Sequence, residues 1–409
     1  MKILMVNKYN YIKGGSERCL FEVTDLLKEK GHQVVPFAMK DEQNVDVEYS
    51  RYFVDAIEFN NLNFIEKVTG APKIIGRIIY SKHAKEKIEE LIEAEKPDIA
   101  HLHMIDHQIS PSILPALKKH GIPIVQSVHQ YKVVCPNYRF YIPQKNEICE
   151  RCLSGNYFHP VIQKCHKNSY AASLLVAMES TIHKMLKLYD HIDYFIAPSK
   201  FLQGKLVEGG IPKEKVLYIP HFLRLEEYKP TYRYDDYFIY LGRLSEEKGL
   251  VTLLNAMKGI KRSELKIIGD GPQRSELEHI AKKENLKNVQ ILGKKSGDEL
   301  KKLVSNATFM IIPSEWYENA PMVIYEAFAL AKPVIGADVG GISELIIPGK
   351  TGFLFPLRNI KELQNHIEYF LNHRDAAPEF GKRARELTEQ KFSEETHYRR
   401  LSSVYKSLM

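Results

Sequence analysis

Glu318 and Glu326 differ from ordinary surface acids in what surrounds them, the run Pro313-Ser314-Glu315-Trp316-Tyr317-Glu318-Asn319-Ala320-Pro321-Met322-Val323-Ile324-Tyr325-Glu326-Ala327. Just ahead, Ala307-Thr308-Phe309-Met310-Ile311-Ile312 is short, apolar and β-prone, which predicts a buried parallel strand. Pro321 suits a first helical turn, with Asn319 or Ala320 at the cap. Glu318 then belongs to the loop at the strand's carboxyl end and Glu326 to the helix one to two turns on, and both can face one crevice. An ionised carboxylate only accepts hydrogen bonds and can serve two neighbouring hydroxyls. Two of them around an anion-attracting helix start suit a sugar or ribose joined to phosphate. On spacing alone, helix-start acidity plus a solvated charge is the better account.

A second loop shifts that balance. Asp236-Tyr237-Phe238-Ile239-Tyr240-Leu241 reads as a strand, Gly242-Arg243-Leu244-Ser245-Glu246-Glu247-Lys248-Gly249 as the loop behind it, and Leu250 to Met257 as a helix. Arg243 can grip phosphate oxygens bidentately and Lys248 can add a point charge, as a departing nucleoside diphosphate requires. An isolated Arg and Lys would be a solvated loop; beside the glutamates that is the weaker account.

With these segments in hand, the chain resembles the retaining family 4 glycosyltransferases, which have the two-domain GT-B fold. The resemblance rests on Gly242-Arg243 to Lys248-Gly249, Gly269-Asp270-Gly271-Pro272, Glu318 with Glu326, Gly340-Gly341 with Glu344, and Gly349-Lys350-Thr351-Gly352-Phe353-Leu354. The first half matches more loosely, through Gly14-Gly15-Ser16-Glu17, Pro97 to His103, and Ser127-Val128-His129. The resemblance implies that Glu326 accepts from the ribose hydroxyls and Glu318 meets the donor sugar. Arg243, Lys248 and the positive helix end spanning Asn319, Met322 and Val323 would stabilise the leaving diphosphate. His129 looks like the family histidine that reaches the reaction centre, although Gln130 follows where the family usually has Asp. Gly14-Gly15 is either an ordinary turn or a place where the backbone amide of Gly15, having no Cβ beside it, approaches the diphosphate or sugar. Ile219-Pro220-His221-Phe222 departs from the family's Ile-Pro-Asn-Gly. No Asp-x-Asp pair is present, so no catalytic metal is expected. Retention of anomeric configuration, by same-face attack, is inherited from the resemblance.

Imitations of other motifs fail on context. Gly269-x-Gly271 lacks the third glycine of a dinucleotide fingerprint. Gly349-Lys350-Thr351 resembles a P-loop end, but Glu344 takes the first glycine position and Phe353-Leu354-Phe355 predicts a strand.

Four cysteines, Cys135, Cys149, Cys152 and Cys165, cluster in a polar, Tyr- and Asn-rich insertion over 135–165, while Cys19 stands alone on an apolar helix. In a cytoplasmic protein that spacing favours a structural zinc over disulfides, with reduced thiols as the plainer alternative. Because the insertion begins just after His129, it is expected to shape the acceptor side of a cleft. Phe64 to Lys87 mixes isoleucines with Lys67, Lys73, Arg77, Lys82, Lys85 and Lys87. That pattern is a basic amphipathic face for an anionic membrane surface, or an ordinary domain helix with snorkelling lysines.

Holding these residues requires two doubly wound sheets. Lys2 to Val6, Gln33 to Ala38, Asp98 to His103, Ile122 to Val128 and Asp193 to Ala197 alternate with helices such as Glu17 to Lys28 and Ala171 to Leu188. Val216 to Ile219, Tyr237 to Leu241, Leu265 to Ile268, Val289 to Leu292, Phe309 to Ile312, Val334 to Ile335 and Phe353 to Phe355 form a second series. The fold expected is therefore α/β, with two Rossmann-like domains facing each other across a cleft. The expected domains are 1–198 on the acceptor side and 199–390 for the nucleotide sugar. By the resemblance, a final helix in 391–409 returns to the first domain.

The 409 residues suit two such cores, and 44% hydrophobic content supports them. The sequence contains neither a long apolar run nor a leader-like start, so a cytoplasmic protein is expected, with peripheral contact on the inner membrane face left open. A net charge of +7 with no basic, aromatic-studded strip argues against nucleic acid. The expected activity is hexose transfer from a nucleotide sugar to a glycan or polyprenyl-linked glycolipid in surface polysaccharide assembly. UDP-sugar is favoured as donor, with GDP- or ADP-sugar as alternatives. The competing readings are a nucleotide-sugar epimerase or hydrolase of the same fold and a sugar-nucleotide-binding protein without turnover.

Overall fold

The computed structural model describes residues 1–56 and 74–409. Both series of apolar runs become parallel six-stranded sheets. In the first domain the strands are β1 (Lys2–Val6), β2 (Gln33–Phe37), β3 (Ile99–Leu102), β4 (Ile124–Ser127), β7 (Tyr194–Ala197) and β8 (Val216–Tyr218), in the order β2-β1-β3-β4-β7-β8. A small antiparallel hairpin, β5 (Tyr141–Ile142) with β6 (Glu147–Ile148), sits in the insertion between β4 and β7. The second domain contains β9 (Tyr237–Leu241), β10 (Glu264–Ile268), β11 (Val289–Gly293), β12 (Met310–Ile312), β13 (Val334–Ala337) and β14 (Gly352–Phe355), ordered β11-β10-β9-β12-β13-β14.

Burial on both faces explains why these strands read as continuous apolar runs. Along β1, Leu4 and Val6 enter one core with Val35, Ala100 and Ile124, while Ile3 and Met5 enter the core on the opposite face with Val34, Ile99 and Val125. The second face is closed by the final helix, Glu394–Lys406, whose Leu401, Val404 and Tyr405 are buried there. The Tyr405 hydroxyl lies 2.6 Å from Nδ1 of His101 on β3, fixing that helix to the first domain as expected.

One boundary is corrected. Val216–Tyr218 pairs in parallel with β7, Ile196 opposite Leu217, so it completes the first sheet and the first domain runs past Pro198-Ser199. Three apolar residues in extended conformation carry no mark of which sheet they join; the partner strand decides it. The chain crosses into the second domain near Leu223 and returns near Ser393. The two crossings touch: the Leu223 amide donates to the Phe392 carbonyl at 3.1 Å, and Leu223 and Ser393 form a parallel bridge.

In open parallel sheets ligands gather at the carboxyl ends of strands where the winding direction reverses. In the second sheet that point lies between β9 and β12. The loops leaving these two strands are the ones that carry Arg243, Lys248 and Glu318.

Candidate active site

The loops from both sheets enclose a cleft of about 510 Å³ between the domains. Gly15, His129, Arg243, Lys248, Glu318, Asn319, Met322 and Val323 all line it; Gly14 and Glu326 do not.

The loop after β12 is held rigidly. The helix it enters runs Met322–Ala329 with Pro321 at the cap, slightly later than the sequence suggests. Gly340 adopts φ +59°, and a Cβ on Gly341 would stand 1.7 Å from the Asn319 carbonyl oxygen, so the Gly-Gly pair lets one loop lie directly on the other. The Gly341 amide donates to the Glu318 carbonyl at 2.7 Å. Gly249, at φ +69°, allows the Lys248 loop to pack against Pro313 in the same way.

Glu318 is buried. Its Oε1 accepts from Lys248 Nζ at 2.6 Å and from Ser314 Oγ at 2.8 Å. Burial pushes this carboxyl up, and the Lys248 ammonium with both hydrogen bonds more than offsets that, leaving it below the ordinary glutamate value. Lys248 also stands 5.2 Å from the centre of the Trp316 ring. Arg243 is exposed on the cleft wall and has no ion-pair partner among the described residues. At the opposite wall, a Cβ on Gly15 would meet nothing within 4 Å, so the backbone there opens onto free space.

Glu326 faces elsewhere. It is paired with Arg18 of the first domain, whose guanidinium also donates to Glu22 at 2.9 Å and to the Tyr228 hydroxyl at 2.7 Å. Burial holds the Glu326 carboxyl above its usual value despite Arg18. Arg18, which follows Gly14-Gly15 on the helix Gly15–Glu29, is a partner of Glu326 that sequence reasoning missed, and it too lies outside the cleft lining. Asn319 also joins the domains: its amide donates to the Val128 carbonyl at 3.2 Å, and its oxygen accepts from Ser199 Oγ at 3.0 Å. Glu344 accepts from the amides of Lys200, at 2.8 Å, and Phe201, capping a first-domain helix from the second domain.

His129 lies 2.8 Å from Nδ1 of His103 through its Nε2, so its hydrogen-bonding neighbour is a second histidine. Gln130 is occupied with Asp106. Burial lowers the His129 imidazole to about 4 and the His221 imidazole to about 3, so both are neutral near pH 7. His221 lines the cleft, and Cys19 Sγ stands 3.3 Å from its Nδ1. The residue that departs from the expected Asn thus reaches the site, and Cys19, His129 and His221 bring their ligand atoms within 4.8 Å of one another.

The insertion supplies Tyr138 and Arg139 to the cleft. All four of its cysteines are reduced. Burial, then the neighbouring Cys135, Cys149 and Cys165, push the Cys152 thiol up, which places the four in one neighbourhood, and Cys135 Sγ donates to Asn137 Oδ1 at 3.0 Å. The four thiols share a neighbourhood but do not form a set of ligand atoms within 4.8 Å of one another, as Cys19, His129 and His221 do, so the expected zinc cluster is not assembled in this structure. Of the basic stretch Phe64 to Lys87, the part up to Lys73 lies outside the described residues, and Lys82–Glu95 is a helix with Ala84, Ile88, Leu91 and Ile92 buried. Among the described residues no helix is long and apolar enough to cross a membrane.

Residues 13–227 match the family described as Glycosyltransferase Family 4, and residues 227–387 match Glycosyl transferases group 1. An uncharacterized glycosyltransferase of Methanocaldococcus jannaschii is 25% identical over 410 residues, covering 100% of this chain and 99% of that protein. Among solved structures, the Anabaena protein HepE in complex with UDP-glucose superposes with a TM-score of 0.69 at 17% identity, covering 100% of both chains. The lipopolysaccharide outer core galactosyltransferase WaaB superposes with a TM-score of 0.68 at 16% identity, again covering 100% of both. Two Rossmann-like domains, a cleft at their strand ends and a family match over more than half of the sequence agree: this chain belongs to glycosyltransferase family 4 and has the GT-B fold.

Proposed function

We propose that this protein transfers a hexose, with retention, from a nucleotide diphosphate sugar to a glycan or polyprenyl-linked glycolipid in surface polysaccharide assembly. The observation that carries this reading is the convergence of Arg243, Lys248 and the start of helix Met322–Ala329 on one cleft opposite Gly15. In that arrangement Arg243 and Lys248 neutralise charge developing on the departing diphosphate, helped by the amides of Met322 and Val323. Glu318 accepts from the donor sugar's hydroxyls while Lys248 holds it ionised. Glu326 accepts from the ribose once Arg18 yields its place. His129, neutral, accepts or donates one hydrogen bond near the sugar.

A UDP-sugar is the favoured donor, by analogy of fold with HepE and its bound UDP-glucose. The acceptor enters beside Tyr138 and Arg139 of the insertion, whose four cysteines draw together around one structural zinc in this reading. A thermal-shift panel of UDP-, GDP- and ADP-sugars tests the donor. NMR of the product tests the anomeric outcome, and donor turnover that needs no acceptor would favour an epimerase or hydrolase instead.

A further inference from the structure

The segment after Cys152 is apolar on the outside. Seven of the thirteen exposed large apolar side chains among the described residues fall between Phe158 and Leu186. Helix Tyr170–Met185 buries Ser173, Val176, Ala177, Glu179 and His183, yet its opposite side presents Tyr170, Leu174, Met178 and Met185, exposed by 59%, 47%, 42% and 76%. Their spacing puts them along one face. Phe158 and Ile162, exposed by 63% and 55%, extend the surface at the adjoining short helix His159–Gln163. Scattered apolar residues on a surface are ordinary; a continuous set marks a contact.

The charge around that face is predominantly positive. Lys164, Lys167, Lys184 and Lys187 are in no ion pair among the described residues, and Lys164 stands over the Tyr170 ring at 4.3 Å. The acid of this segment, Glu179, points inward and is bound to Lys132 at 2.6 Å. Asp190, exposed beside Lys184 and Lys187, is the acid at the edge of this rim, and the four lysines outnumber it. An apolar stripe with a net cationic rim is complementary to an anionic bilayer surface.

Behind the helix lies a second cavity of about 510 Å³. Lys167, Leu175 and Val176 are among its lining, and Met104, Gln130 and Tyr138 line both it and the donor cleft. The cavity thus has Lys167 on its wall and shares three lining residues with the donor cleft.

We propose that the face formed by helix Tyr170–Met185 and residues 158–162 lies on an anionic lipid bilayer, and that the cavity behind it admits the head of a lipid-linked acceptor to the cleft. The docking face stands by itself; the route for the acceptor rests on the transferase reading above.

The test is sedimentation of the full chain with phosphatidylcholine vesicles and with vesicles that also contain phosphatidylglycerol. Recovery with the anionic vesicles, weakened by salt, is expected, with a loss of at least about tenfold in partitioning for Leu174→Glu/Met178→Glu and a smaller loss for Lys184→Glu/Lys187→Glu. These side chains point outward, so melting temperature and the stabilisation by UDP should be unchanged in the variants, which controls for folding. Equal recovery with both vesicle types, equal recovery of the Leu174→Glu/Met178→Glu variant, or a dimer abolished by that variant would overturn the proposal, the last assigning the face to a second copy of the chain. Vesicle binding needs no nucleotide. Binding without stabilisation by any nucleotide sugar would sink the transferase reading alone, whereas donor turnover without vesicle binding would sink this one.

Discussion

Lys248 Nζ lies 2.6 Å from Oε1 of Glu318, so the principal cation and the principal acid of the cleft form one unit. Glu318→Gln keeps the shape and removes the charge that holds Lys248 in place. Turnover should fall by about 10²- to 10³-fold with a much smaller change in donor KM. Lys248→Ala should also lower stability, by about 3 kcal/mol, because it leaves a buried carboxylate without its partner. In a double-mutant cycle read by denaturant unfolding, the two changes should cost less together than the sum of each alone.

Arg243 gives the opposite pattern. It is exposed and has no ion-pair partner among the described residues, so Arg243→Ala should alter stability by no more than about 0.5 kcal/mol. Steady-state kinetics should show a drop in kcat of about a hundredfold, with Arg243→Lys recovering part of it, since a lysine supplies charge without the planar fork.

Arg18 and Glu326 separate stability from affinity. Glu326→Gln should weaken UDP-sugar binding about tenfold, the loss of a hydrogen bond to a charged group. Arg18→Met should lower the melting temperature while UDP-sugar affinity holds or rises, because ribose then meets no competitor. Calorimetric titration of both variants checks this; a large loss of affinity in Arg18→Met would contradict it.

Acid sensitivity follows from the buried histidines. Burial lowers His101 and His221 to about 3 and His129 to about 4, whereas the unfolded chain titrates near 6.5. Below that value the unfolded state takes up protons that the folded state refuses, so stability falls with falling pH, beginning near about 6.5 and continuing until each folded value is passed. Melting temperature should be nearly flat from about pH 7 to 8 on their account and decline towards about pH 5, by up to about 1.4 kcal/mol per pH unit for each histidine. Below the ordinary carboxylate range the depressed Glu318 adds its own loss in the same direction. His221→Asn should flatten the slope.

Metal analysis of protein prepared without chelator or affinity metal should give about one zinc per chain. Cys152→Ser should abolish it and lower the melting temperature, while Cys19→Ser should leave the zinc content unchanged. Zinc lost on Cys19→Ser would instead place the ion among Cys19, His129 and His221.

Much of this was legible in the sequence because strand-to-helix loops carry short, chemically distinctive signatures. Arg243, Lys248 and Glu318 each sit at the end of an apolar run that could only be a buried parallel strand, and they meet because β9 and β12 are neighbours. Contacts between domains leave no such local signature. Arg18 looks like any helical arginine, and Glu344 like any acid at a helix start, until the other domain is in place. The partner of His129 was equally hidden, since His103 reaches it only through the adjacency of β3 and β4.

The side-by-side passage of the chain at Leu223 and Ser393 has a mechanical consequence. Two strands tied by a backbone hydrogen bond resist torsion better than one, so this double crossing should restrain rotation of one lobe against the other. An insertion of flexible residues beside Leu223 should therefore slacken the alignment of Arg243 with Gly15 across the cleft while each lobe keeps its own fold.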